Sequence, residues 1–311
     1  MIGSYQGLPN DKYDKNERTE MVINKHGSFY LRNGWGTKIL QAVDEDSKIF
    51  TPANELKAVD NIGLGRVMIT ALRYWADACG LTVEVKEQNG IREDKTPLFC
   101  LIDAHDRYFQ RQGSLLLLHR NLAKNKDRAT AWYWAFNEFA EKSFTKDEFV
   151  EGLHLYLAVN GMTVKKTAVE KEFNCFKNTY LGDKKFDIKT AMDEDTYPLL
   201  GPLHLIRIND EKEFEKCSLS RIDIPLAILI YSIAMDNPAE SATSQQISID
   251  KIMEEPGQVG KYFSIRYSKL IEMLLEAENK KLLTLNNNFG NRHIEFLDLP
   301  YERLLESYYA E

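Results

Sequence analysis

ANELKAVDNIGLGRVMITALRYWADACGLTVEV, residues 53–85, is the stretch from which the fold can be read. Residues 53–59 have helical character and run into a turn at 60–65 that holds Gly63 and Gly65. A longer helix follows over 66–79, where Met68, Leu72, Trp75 and Cys79 recur at helical spacing. Gly80 then supplies a C-terminal stop. Residues 81–85 alternate as a strand does, and after a charged excursion 98–102 (LFCLI) reads as its hairpin partner. Helix, glycine turn, helix and hairpin in that order describe a winged helix-turn-helix, a unit that lays its second helix in the major groove. The face of that helix opposite the apolar stripe carries Arg66, Thr70, Arg73 and Asp77, donors suited to phosphates or base edges. An ordinary solvated helix face would look the same.

Working outward, the theme recurs twice. Residues 145–160 open with a capping box, Thr145 with Glu148, and end at Gly161. A second helix over 166–180 buries Val169, Phe173, Phe176 and Tyr180, and exposes Lys165, Lys166, Lys171 and Lys177 among glutamates. Residues 203–208 and the segment near Phe214 form a candidate wing. Towards the C-terminus, helices are expected over 225–234, 248–254 and 267–279, with a hairpin from 282–285 and 292–296 around an Asn-rich turn. Lys261, Arg266, Lys269 and Arg292 surround this wing as a phosphate-contacting set. Between the first two units, residues 114–140 are aromatic-rich. Trp132, Phe136, Phe139 and His119 read as core.

The expected fold class is therefore mainly α with small β-hairpins (α+β), built from multiple winged helix-turn-helix-like units. Residues 1–22 form a flexible polar lead-in. An N-terminal winged-helix-like domain with the aromatic helices spans 23–143, a middle domain 144–220 and a C-terminal winged-helix-like domain 221–311. A chain of 311 residues with 43% hydrophobic and 11% aromatic content can bury cores of that number. No apolar run approaches the roughly 18 residues of a membrane span, and the polar start has no apolar signal region. Cys79, Cys100, Cys175 and Cys217 lack paired spacing and read as reduced thiols. The expected location is cytoplasmic. The formal charge of −7 argues against a protein coated in basic residues but leaves room for a local basic face.

A set of short strings then becomes specific: HGSFYLRNGW (26–35), IGLGRVM (62–68), LRYW (72–75), LLH (117–119), AWYWAFN (131–137), Glu194-Asp195 with Pro198-Leu199, and PGQVG (256–260) with Phe263. In this order they resemble the bacterial domain-of-unknown-function family 4007, across nearly the whole chain. Its SspB-type members accompany a cysteine desulfurase and an adenylating, PAPS-reductase-like enzyme in clusters that place phosphorothioate sulfur in DNA. The resemblance implies double-stranded DNA and those two sulfur-transfer proteins as partners, and nicking of one strand to admit sulfur. The chain departs from the family pattern at Gly27, where a glutamate is common, and at Arg66, where a lysine is.

Nicking calls for carboxylates that hold a divalent metal such as Mg or Mn, or for a nucleophile with a positioned base. Glu194 and Asp195 are the best acidic pair on a family motif, although a turn or helix cap ahead of Pro198 explains them as well. His26 and Arg32 could act as base and phosphate clamp, or simply brace the packing of Phe29 and Trp35. The metal ligands are not assigned. Three readings stay open: a DNA nickase, a noncatalytic DNA-binding adaptor that positions the sulfur-transfer enzymes, and a regulator of the same cluster. Homodimerisation, assisted by the apolar tail 299–309, is a further expectation.

Overall fold

The computed structural model describes residues 21–88, 90–182, 197–220, 222–238, 246–288, 291–297 and 301–310. Helices dominate them, with small antiparallel sheets between, as the sequence pattern requires. The first unit runs α1 (Trp35–Glu45), α2 (Glu55–Ile62), α3 (Arg66–Ala78), β1 (Thr82–Glu87) and β2 (Gly90–Lys95). Gly63 ends α2 at φ 71°, and Gly80 ends the turn after α3 at φ 69°, left-handed positions that glycine adopts without strain. Three helices follow: α4 (Pro97–His105), α5 (Gln112–Lys124) and α6 (Thr130–Asn137).

The second unit consists of β3 (Ser143–Phe144), α7 (Lys146–Val159), α8 (Lys166–Leu181), β4 (Ile206–Ile208) and β5 (Phe214–Lys216). The Thr145–Glu148 capping box is present in full. The third unit has α9 (Leu226–Asp236), β6 (Gln246–Ser248), α10 (Ile249–Glu254), α11 (Val259–Tyr262), α12 (Tyr267–Asn279), β7 (Leu283–Asn288), β8 (Asn291–Phe296) and α13 (Tyr301–Ala310). Its sheet has the order β6-β8-β7, and that of the second unit β3-β5-β4. In both, the strand ahead of the helix pair joins the second hairpin strand.

One expected strand is a helix. The partner of β1 is the charged segment Gly90–Lys95, in register with Thr82 opposite Lys95. Residues 98–102 lie in α4. Thr96 caps that helix by accepting a hydrogen bond from the Phe99 amide, and Pro97 takes the first helical position, where its missing N–H costs nothing. A charged segment can form β2 because Glu93 is buried with partners, Thr82 Oγ1 at 2.8 Å and the Arg73 guanidinium.

One contiguous apolar cluster reaches from Tyr30 to Leu305, and polar joints cross it. His119 of α5 hydrogen-bonds the Tyr180 hydroxyl of α8 at 2.9 Å and the Tyr262 carbonyl of α11 at 2.7 Å. Asp236 of α9 receives Arg120 and Lys124 from α5 and a 2.5 Å hydrogen bond from the Tyr262 hydroxyl. Within PGQVG, the Gly257 amide donates to Asn137 Oδ1 at 2.7 Å, and Gln258 exchanges amide hydrogen bonds with Asn237. The apolar tail is engaged inside the chain. Leu305 and Tyr309 are buried, the Tyr309 hydroxyl lies 2.7 Å from Ser114 Oγ, and α13 lies on α9. All four cysteines are free thiols. Among the described residues no helix is long and apolar enough to cross a membrane.

Candidate nucleic-acid interface

Two helix starts meet at one turn. Residues 24–28 reverse direction with positive φ at Asn24, Gly27 and Ser28. A Cβ added to Gly27 would lie 3.5 Å from Val67 Cγ1, in the first turn of α3. On its other side, Gly27 and Ser28 line a cavity of ≈ 550 Å³ with Lys165, Thr167 and Lys171 from the start of α8. Arg66, Val67 and Thr70 of α3 and Lys165, Lys166, Thr167 and Lys171 of α8 are all exposed. The surface around this turn thus combines Val67 with Lys165, Thr167 and Lys171, some hundred residues away in sequence, whereas Arg66 and Thr70 line a separate pocket with Phe50, Pro52 and Glu55.

Beyond their first turns α3 is engaged by neighbouring segments and one face of α8 is buried. Arg73 is ion-paired with Glu84 of β1 and, at 3.4 Å, with Glu93 of β2. The Tyr74 hydroxyl donates to the Arg128 carbonyl, and Asp77 pairs with Arg128 at 3.1 Å. In α8, Glu172, Cys175 and Thr179 are buried. Glu172 Oε2 accepts the Asn24 amide at 2.6 Å and lies 3.0 Å from His26 Nε2. The expected face Arg66–Thr70–Arg73 is therefore formed, but Arg73 is committed to the hairpin. Among the described residues Arg66 is ion-paired with Glu55 alone, at 3.7 Å, both exposed, a pair that a phosphate can displace.

His26 is fully buried, with both ring nitrogens engaged. Nδ1 accepts from the Ser28 amide at 3.0 Å, which leaves the Nε2 proton for Glu172. Its ring is stacked near Trp75 and meets Trp132 edge-on. It is placed as a brace between the 24–28 turn and α8 and does not face solvent. Arg32 bridges Pro198 through its backbone, and its guanidinium lies 5.2–5.7 Å from the ring centres of Phe29, Tyr30 and Trp35. Glu194 and Asp195 lie outside the described residues. Among the described residues no group of three His, Cys, Asp or Glu side chains is placed to hold a metal ion.

The third-unit set is spread out. Arg266 stands at the N-cap position of α12 without a side-chain capping bond, and Lys269 pairs with Glu272 at 2.7 Å. Glu272 and Glu276 then follow along α12. Arg292 stands near the tip of the hairpin, opposite Asn287. Lys261 faces the second unit: burial, and then the charge of Lys261, push the Lys216 amine down to about 8. Lys216 donates to the Ala135 and Phe139 carbonyls. Lys166 pairs with Glu151 at 3.0 Å. Lys165, Lys171, Lys261, Arg266 and Arg292 have no carboxylate partner among the described residues. The sequence pattern passed over the 24–28 turn and Val67, since nothing local signals that Gly27 sits between two distant helix starts. It likewise gave no sign that Glu172 would partner His26.

Comparison with solved structures finds two of the same protein. A magnesium ion-bound SspB crystal structure superposes with a TM-score of 0.81 at 24% identity, covering 93% of this chain and 88% of that one. A second SspB crystal structure gives 0.79 at the same identity and coverage. The likeness establishes a shared fold. Curated proteins give no match. Residues 23–309 match the family described as protein of unknown function DUF4007, and the chain belongs to that family.

Proposed function

We propose that this protein is the duplex-DNA-binding component of a DNA phosphorothioation system. It would hold the double strand where a cysteine desulfurase and a PAPS-reductase-like enzyme deliver sulfur. The observation that carries the reading is the convergence of the α3 start, through Val67, and the α8 start, with Lys165 and Lys171, on the 24–28 turn. Each unit's order of helices and hairpin fits a winged helix, with the units at about 23–143, 144–220 and 221–311. Winged helices touch DNA with the N-terminal residues of the second helix, and here those are the residues left open. A duplex places a negative charge about every 1.7 Å along its axis, so a local basic face suffices in an acidic protein. The likeness to SspB supports the choice of system.

The test is a titration of a labelled 20-base-pair duplex against wild type and Lys165→Ala/Lys171→Ala. The double variant is expected to bind at least tenfold more weakly on all sequences alike. Equal affinity would refute this interface.

Strand nicking is the second reading, favoured by the magnesium ion bound in an SspB structure. The described residues offer no metal-holding group, so no catalytic step is assigned to one. Glu194 and Asp195 remain the proposed acidic pair, with His26 and Arg32 bracing nearby backbone. Supercoiled plasmid incubated with protein and Mg or Mn distinguishes the two. Open circles made by wild type and lost in Glu194→Ala/Asp195→Ala support nicking, and binding without conversion supports the adaptor.

A further inference from the structure

Two tyrosine rings, a carboxylate and an ammonium meet where α6 and α7 face the loop after α5. Lys126 of that loop is half-buried, and its Nζ lies 5.4 Å from the ring centre of Tyr133 in α6. It lies 5.8 Å from the ring centre of Tyr156 in α7, and both distances are those of a cation–π contact. Glu138, exposed and just past α6, accepts the Tyr156 hydroxyl at 3.3 Å. Burial, and then the charge and hydrogen bond of Glu138, push the Tyr133 hydroxyl up to about 12 and the Tyr156 hydroxyl up as well, so both stay donors. Among the described residues no carboxylate pairs with Lys126 and no cation pairs with Glu138. We propose that the two rings and Glu138 form a seat for an arginine side chain of a partner protein. Lys126 fills the seat in the partner's absence.

The chemistry of the seat selects that occupant. Lys126 uses the ring faces and leaves the charge of Glu138 without a cation among the described residues. A guanidinium lies flat on an aromatic ring and offers a fork of N–H donors to a carboxylate, so one arginine engages all three groups. Glu138 repels a phosphate, which sets this face apart from the duplex-binding one. Lys126 is also displaceable. Its backbone is pinned, since Thr130 Oγ1 donates to its carbonyl at 2.8 Å, but its ammonium breaks no ion pair among the described residues on leaving. The surroundings fit a polypeptide. Val159, 77% exposed, stands one turn along α7 from both Tyr156 and Leu155, which is 65% exposed. The two aliphatic side chains give the seat an apolar rim, so the partner segment carries its arginine between apolar residues.

The probe is a blocked five-residue peptide with arginine between leucines, and the same peptide with glutamine for arginine is the control. Binding is followed by saturation-transfer NMR. Lys126→Ala vacates the seat and should bind the arginine peptide about tenfold more tightly than wild type, the scale of one ring-held cation. Added to Lys126→Ala, either Glu138→Gln or Leu155→Ser/Val159→Ser should weaken that binding. These three positions are exposed, so the variants are expected to fold. Equal affinity in Lys126→Ala and wild type, or no binding to Lys126→Ala, would overturn the seat. Equal binding of the arginine and glutamine peptides would overturn it too. A loss of duplex affinity in Leu155→Ser/Val159→Ser would assign this face to DNA and overturn the protein partner.

Discussion

His119 shows at the scale of one residue how burial sets chemistry. Enclosed by Phe136, Tyr180 and Phe263, its imidazole is pushed down to about 4 by burial, against a small opposing effect of its bond to the Tyr262 carbonyl. The unfolded chain binds its proton near pH 6.5, so between 6.5 and 4 the unfolded state holds more protons than the folded one. Stability attributable to His119 is complete above 6.5 and falls as pH drops through that window, by about 3 kcal/mol in all. Urea unfolding at pH 7 and pH 5 should show the fall, and His119→Gln should show less of it. Arg73 gives a second prediction. Its removal leaves Glu93, whose carboxyl burial already holds above its usual range, without its cation. Arg73→Ala should lower stability by about 1–3 kcal/mol and leave DNA affinity nearly unchanged. A DNA-binding loss without a stability loss would reverse the assignment made to this side chain.

At the scale of elements, helices with strong periodicity and caps could be read directly. The apolar stripe of α3, the capping box of α7 and the span of α12 needed no tertiary information. Strand β2 did. Its residues are charged, and only the pairing of Glu93 with Thr82 and Arg73 across the hairpin makes a strand of them. The apolar segment after it looked more like a strand, but Thr96 and Pro97 start a helix there. PGQVG was legible as a motif, and its work was not. Gly260 packs so closely under α10 that a Cβ would meet the Met253 carbonyl oxygen at 2.4 Å, a backbone contact that cannot yield cheaply. Gly260→Ala should therefore lower the melting temperature by several degrees or prevent folding, measured by circular dichroism. An unchanged melting temperature would show that the joint between α10 and α11 is looser than described.

Across the whole molecule, the candidate site is less legible than the fold because it is assembled from distant segments. Arg66 and Lys165 were each visible as cations at a helix start. That one glycine turn joins their neighbourhoods depends on the His26–Glu172 pair, 146 residues apart in sequence. The acidic balance of the chain also hides the basic face, and many cations elsewhere are paired locally, as Arg92 is with Glu87 and Asp94. The central claim is that cations at the α3 and α8 starts displace counterions from a duplex. The salt dependence of binding reads this most directly, because each phosphate neutralised adds about −0.9 to the slope of log K against log salt. Fluorescence anisotropy from 50 to 200 mM NaCl should give Arg66→Ala/Lys165→Ala/Lys171→Ala a slope about 2.7 shallower than wild type. An identical slope in both proteins would contradict the account.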